Sequence, residues 1–143
     1  MLDYYIILES SLDERWHITL APAFNIDDSK IQTLIQSIKE SIRNIPPFKV
    51  HGVEEKDFTD SENNPVPVLV LKRHEVLMTE HCHLMKLIEN HCGTFRNPEY
   101  TGVGYSPHIT YADLSTELPI FDRLSVSQQV LTDDFKILDS WCL

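Results

Sequence analysis

The sequence predicts an α+β fold in which two sheets, or lobes, meet at a cleft. Three observations predict it. Strand-length runs of apolar or alternating residues recur along the whole chain, about eight of them, while only two segments carry helical periodicity. No low-complexity linker separates the halves. Two stretches, His17-Ile18-Thr19-Leu20 and His108-Ile109-Thr110-Tyr111, repeat one pattern of histidine, apolar, threonine, apolar in opposite halves. Successive side chains of a strand point to opposite faces. Each stretch therefore puts its two apolar residues toward a core and an imidazole with a hydroxyl toward a cleft. One such tetrad is an ordinary accident of composition; two together form a motif.

The elements follow in order. Tyr4 to Leu8 is a continuous apolar run rich in β-formers and reads as a central strand. Ser10 to Glu14 is a polar turn, and residues 16–23 form the first motif strand, closed by Pro22 and the loop Asn25 to Asp28. Ile31, Leu34, Ile35, Ile38 and Ile42 fall on one stripe of a helix, with Asp27 or Asp28 as its cap and Pro46-Pro47 as its stop. Residues 48–57 and 66–73 read as strands around the loop Thr59 to Pro65; Pro67 suits a strand beginning or an edge. Residues 75–91 are helical, with Leu77, Leu84 and Ile88 inward and Gly93 as C-cap. Thr94 to Gly104 is loop-like, with a strand start possible at Phe95, and the second motif strand covers 107–113. Runs 124–131 and 135–142, joined through Thr132-Asp133-Asp134, make a terminal hairpin.

A chain of 143 residues fits one domain, 1–143, large enough to bury a real core. No apolar run has the length of a membrane span, and the N-terminus lacks a basic-then-apolar signal pattern, so a monomeric cytoplasmic protein without membrane contact is expected. Cys82, Cys92 and Cys142 are an odd set without framework spacing, which points to reduced thiols. The net charge of −10, with 12 basic residues against 22 acidic ones, argues against gripping long duplex nucleic acid through its phosphates. A nucleotide substrate would be small, or a short oligonucleotide.

Two imidazoles facing one cleft suit phosphodiester cleavage. That reaction takes a proton from the attacking water or hydroxyl and gives one to the leaving oxygen, and imidazole does both near neutral pH. Hydroxyls two residues along the same strand face suit the non-bridging oxygens, where charge builds. The scheme needs no metal and no other cofactor.

The paired tetrads, together with the segment Gly93 through His108, resemble the 2H phosphoesterase superfamily, in its 2′-5′ RNA ligase-like and cyclic phosphodiesterase branch. The resemblance in element order covers nearly the whole chain. It implies a bilobal fold of pseudo-twofold halves, two antiparallel sheets flanking a central cleft with helices packed outside. It also implies metal-independent chemistry on 2′,3′-cyclic phosphates or 2′,5′-linked oligonucleotides, with His17 and His108 as the catalytic pair and Thr19 and Thr110 as phosphate contacts. Some members carry an arginine shortly after the second tetrad; Ala112 and Asp113 stand there in this chain.

For the substrate base, Tyr100 and Tyr105 in the approach to the second tetrad and Phe24 after the first are the aromatic candidates. Arg15 shares the His17 face of an extended strand and is the candidate for a second phosphate, ahead of Lys72 and Arg96. His81, Cys82, His83, His91 and Cys92 are metal-ligand types, but on a helix they fan around the axis and lack paired C-x-x-C spacing, so no metal site is expected and His81 reads as a satisfied core histidine. Three substrate classes fit: 2′,3′-cyclic phosphate ends, linear 2′,5′-oligoadenylates, and cyclic oligonucleotide messengers. The latter two suit a viral or phage protein that disarms host signalling. A nucleotide-binding module without turnover is the non-enzymatic alternative.

Overall fold

The structure, a computed structural model, describes residues 3–41, 45–60, 62–131 and 134–143. Its elements are β1 (Tyr4–Glu9), β2 (His17–Asn25), a 3-10 turn (Asp28–Lys30), α1 (Ile31–Ser41), β3 (Gly52–Thr59), β4 (Pro65–Leu71), α2 (Glu75–Asn90), β5 (Thr94–Phe95), β6 (His108–Thr110), β7 (Arg123–Leu131) and β8 (Asp134–Cys142). Every pairing is antiparallel. One sheet has five strands in the order β5-β2-β1-β7-β8, the other three in the order β3-β4-β6. This is the expected α+β arrangement of two sheets, with one tetrad in each.

β1 is central because both of its neighbours need an apolar partner. Tyr4, Ile6 and Leu8 are buried, and beside them stand Ile18 and Leu20 of β2 and Leu124 and Val126 of β7. α1 packs on this core through Ile31, Leu34, Ile35 and Ile38, and α2 through Leu77, Leu84, Met85 and Ile88. Leu69, Leu71 and Ile109 of the smaller sheet join the same cluster. Burial of each such side chain contributes about 1.5–3 kcal/mol, so one shared core holds the two sheets. Asp27 caps the turn before α1, its carboxylate accepting from the Ser29 amide at 3.0 Å. Ile42, expected on the α1 stripe, and Thr132-Asp133 of the expected β7–β8 turn lie outside the described residues.

Four boundaries differ from the sequence reading. β2 continues through Pro22 to Asn25, because the β1–β2 register shifts between the Ile6↔Ala21 and Tyr4↔Phe24 pairs and no ladder donor is required there. β3 begins at Gly52, and Phe48 instead forms a lone bridge with Phe121. At the end of α2 the left-handed residue is Cys92 (φ 61°), not Gly93. Gly93 is needed for space, since a Cβ there would lie 2.5 Å from Ile88 Cγ2. The second motif strand is only three residues long. Tyr111 enters the left-handed region (φ 65°) and is 71% exposed, so the tetrad's last residue leaves the core it was expected to enter. Pro67 sits near the start of the middle strand β4; its carbonyl accepts from the Tyr111 amide at 2.8 Å, and its missing donor faces the side where β6 has ended.

Candidate active site

The register of β2 against β1 pairs His17 with Glu9, Ile18 with Leu8 and Thr19 with Ile7. With Ile18 and Leu20 buried, His17 and Thr19 necessarily face away from the helices. On β6, Ile109 is buried, and His108 and Thr110 project to the opposite face, beside Val70 and Val68 of β4. β2 and β6 approach one another between the sheets. The two imidazoles are close enough that charge on His108 makes His17 harder to protonate. The two histidines and two threonines are thus oriented as the alternation predicts, while Tyr111 is not.

The two histidines differ in their surroundings. His17 keeps an exposed edge on β2, yet the protein atoms crowded around its ring hold it below the ordinary imidazole range, and the charge of His108 adds to this while Glu9 opposes it. Its neutral form is favoured. His108 Nδ1 lies 2.9 Å from the Ser106 carbonyl oxygen. A carbonyl only accepts, so Nδ1 carries a proton and Nε2 is left for chemistry. The ring is further wedged by Phe58, edge to face with centroids 4.6 Å apart. Phe58 stands on β3, two strands from β6 across β4. Sequence reading missed it because nothing in the chain order tells which strand intervenes; its isolation as an apolar residue in the acidic run 54–58 was the one available signal.

A buried clamp ties the approach to the second tetrad onto the first. His81 of α2 is fully buried; its Nδ1 donates to the Leu20 carbonyl at 2.7 Å, and its Nε2 accepts from the Gly102 amide at 3.0 Å. Tyr105 stacks on it, centroids 3.8 Å apart and 5° from parallel, and donates its hydroxyl to the Thr19 carbonyl at 2.8 Å. Both His81 nitrogens are satisfied only in the neutral ring. Burial pushes its pKa down, and Arg73 nearby pushes the same way. This is the satisfied core histidine the helix stripe predicted. Among the described residues no group of three or more metal-ligating side chains gathers. His91 is occupied by Ser37 and the Leu87 carbonyl, and Cys82, Cys92 and Cys142 are free thiols.

Three of the proposed substrate contacts are corrected. Tyr105 is 4% exposed and committed to the clamp, because its hydroxyl is needed to satisfy a β2 carbonyl. Phe24 is completely buried between Tyr4 and Phe95, since β2 runs past Pro22 and carries it into the core. Arg15 precedes β2, in a turn, so it does not share the strand face of His17. Its guanidinium pairs with Asp13 at 2.7 Å and covers the Trp16 ring. Arg96 is likewise engaged, with buried Asp3 at 2.7 Å. Tyr100 is 59% exposed, and no hydrogen bond or ring contact of its side chain joins it to either tetrad among the described residues.

Beside His17 an open cavity of about 360 Å³ lies over the five-stranded sheet. Glu9, Glu14, Arg123, Ser125 and Ser140 line it with His17, and Ile7 and Ile137 give it apolar walls. The β1–β7–β8 register explains the grouping: Glu9 faces Arg123, Ile7 faces Ser125, and Ser125 faces Ser140. Arg123 donates from Nε (3.1 Å) and Nη2 (2.7 Å) to Glu9 Oε2 and reaches Glu14 Oε1 at 3.5 Å.

No helix among the described residues is long and apolar enough to cross a membrane. No protein-family model matches the sequence, and no curated protein matches it. Solved structures do. A phosphoesterase crystal structure is similar over 99% of this chain and 98% of its own, with a TM-score of 0.62 and 12% identity. A Thermus thermophilus protein is similar at a TM-score of 0.63 and 12% identity, over 99% and 97% of the two chains. Escherichia coli LigT complexed with 3′-AMP is similar at a TM-score of 0.58 and 11% identity, over 99% and 98%. Together with the two antiparallel sheets and the histidine–threonine pair borne by each, these likenesses show that the chain has the fold of the LigT-like 2H phosphoesterases.

Proposed function

We propose that this chain is a metal-independent phosphodiesterase acting on a ribose 2′-linked phosphate, a 2′,3′-cyclic phosphate or a 2′,5′-linked oligonucleotide. The observation that carries the reading is the pair of imidazoles on the neighbouring strands β2 and β6, each with a threonine hydroxyl two residues along the same face and one lowered in basicity partly by the other's charge. His17, favoured as the neutral ring, takes the proton from the attacking water as a new P–O bond forms. His108, protonated and oriented by Ser106, gives its Nε2 proton to the ribose oxygen as the old P–O bond breaks. Thr19 and Thr110 donate to the non-bridging oxygens, where negative charge grows. Because two imidazoles cover both proton transfers, the scheme leaves no step for a metal to perform. LigT has been captured with 3′-AMP, NADP+ and ATP, which supports a small nucleotide as the ligand here.

The test is turnover of a 2′,3′-cyclic mononucleotide and of a 2′,5′-linked triadenylate by the purified chain, with and without EDTA. The expected result is product from at least one substrate, undiminished by the chelator. Binding without product would overturn the enzymatic reading in favour of a nucleotide-binding module. Loss of activity in EDTA would overturn the metal-free mechanism.

A further inference from the structure

Apart from His17, the residues lining the cavity take no part in the proton transfers, and their composition is unusual for a site that handles phosphates. The cavity's charged groups are two carboxylates, Glu9 and Glu14, against one guanidinium, Arg123, which both carboxylates already occupy. A second phosphate placed there would meet excess negative charge and find Arg123, the one cation among the described lining residues, engaged. A neutral, hydrogen-bonding group would be well received. Carboxylate oxygens accept from amino or hydroxyl groups, and Ile7 and Ile137 offer apolar contact. On the floor stands Ser125, 0% exposed, whose hydroxyl has no hydrogen-bond partner among the described residues. A buried hydroxyl left unpaired is unfavourable, and a ligand hydroxyl or ring nitrogen reaching the floor would complete it. The volume of about 360 Å³ lies near the lower end of small-molecule sites, about 300–1,000 Å³, and suits one nucleoside.

We propose that this cavity is a nucleoside subsite that accepts a neutral ribose and base and rejects a second phosphate on the same nucleoside. The inference rests on the phosphodiesterase reading and narrows its substrate. The preferred substrate carries a single phosphate at the scissile position and a free 5′-hydroxyl, as in a nucleoside 2′,3′-cyclic monophosphate. A 5′-phosphorylated or 5′-triphosphorylated terminus is disfavoured.

The experiment compares kcat/KM for a nucleoside 2′,3′-cyclic monophosphate with that for the same compound bearing a 5′-phosphate. The wild type should prefer the first by about tenfold or more, and Glu14→Gln, a change at the exposed rim, should narrow the gap at least threefold. Ser140→Phe, which fills the cavity from β8, should raise KM for the unphosphorylated compound far more than it lowers kcat, with its melting temperature checked alongside. Equal kcat/KM for the two compounds, or a gap that Glu14→Gln leaves unchanged, would overturn the subsite. An unchanged KM in folded Ser140→Phe would overturn it too. Turnover of neither compound by the wild type would count against the phosphodiesterase reading itself.

Discussion

The two tetrads share a pattern and differ in nearly everything that surrounds it. The first sits in a nine-residue strand, flanked by β1, with its last residue, Leu20, 2% exposed. The second sits in a three-residue strand, and its last residue, Tyr111, is 71% exposed in a left-handed conformation. His17 borders a cavity with acidic groups and is lowered in basicity by the protein atoms crowded around its ring and by His108. His108 is braced from outside its own strand, by the Ser106 carbonyl and the Phe58 ring. The likeness of the tetrads is therefore one of display, an imidazole and a hydroxyl on one face. In the proposed reaction it is these environments that divide the labour between two identical side chains.

The comparison is most severely tested at the histidines. In the proposed reaction, His17→Ala and His108→Ala should each lower kcat by roughly 10²–10⁴-fold, while circular dichroism and melting temperature stay near those of the wild type. A variant that retained full rate would remove that histidine from the mechanism. The fourth tetrad positions give the next largest contrast. Leu20→Ala should cost about 2–5 kcal/mol in a denaturant titration, and Tyr111→Ala less than about 0.5 kcal/mol; equal costs would mean that Tyr111 is core after all.

Between these lies the clamp joining the two regions. His81→Ala leaves the Leu20 carbonyl and the Gly102 amide without their buried partner and should cost about 1–3 kcal/mol. Its pH dependence has a definite sign. His81 is less basic folded than unfolded, so the unfolded chain binds more protons below the ordinary imidazole range, and stability must fall as pH drops through that range toward the folded value. His17, depressed in the same direction, adds to the slope. His81→Asn should flatten the slope measured by melting temperature from neutral to mildly acidic pH, and an unchanged slope would exclude His81 as its source. For catalysis, the acid limb of the kcat/KM profile should lie below the ordinary imidazole range if the depressed His17 is the base. A limb above that range would reverse the assignment of base and acid. Smallest is the backbone effect at Tyr111: glycine there relieves a left-handed residue and should stabilise by up to about 1 kcal/mol.

Much of this architecture was readable from residue order because the signals are local. The α1 stripe at Ile31, Leu34, Ile35 and Ile38, the apolar run of β1, and the alternation of His17 and His108 with their apolar neighbours are consequences of helix and strand periodicity. His81 was correctly read as core from its place on the α2 stripe. Most of the misreadings depend on partners distant in sequence, and that of Arg15 on a turn two residues long. Pro22 reads as a strand end because a proline lacks a donor, and only the register shift opposite Ile6 shows that none is required. Tyr105 and Phe24 looked like platforms for a base because aromatics near a motif are ambiguous until their neighbours are known; one satisfies Thr19 and the other fills the core. Arg15 looked like a phosphate ligand until the turn gave it Asp13.

From residue order alone came the α+β class, the one-sided display of each histidine–threonine pair, and the acidity that disfavours extended nucleic acid. These depend on backbone periodicity and total charge, which need no knowledge of the fold. The approach of β2 to β6, the lowered basicity of His17, the His81–Tyr105 clamp and the acidic cavity with its unpaired Ser125 hydroxyl arise only when strands far apart in the chain lie side by side. Electrostatics, hydrogen bonding and packing act through space over a few ångströms, and folding sets which residues come that close.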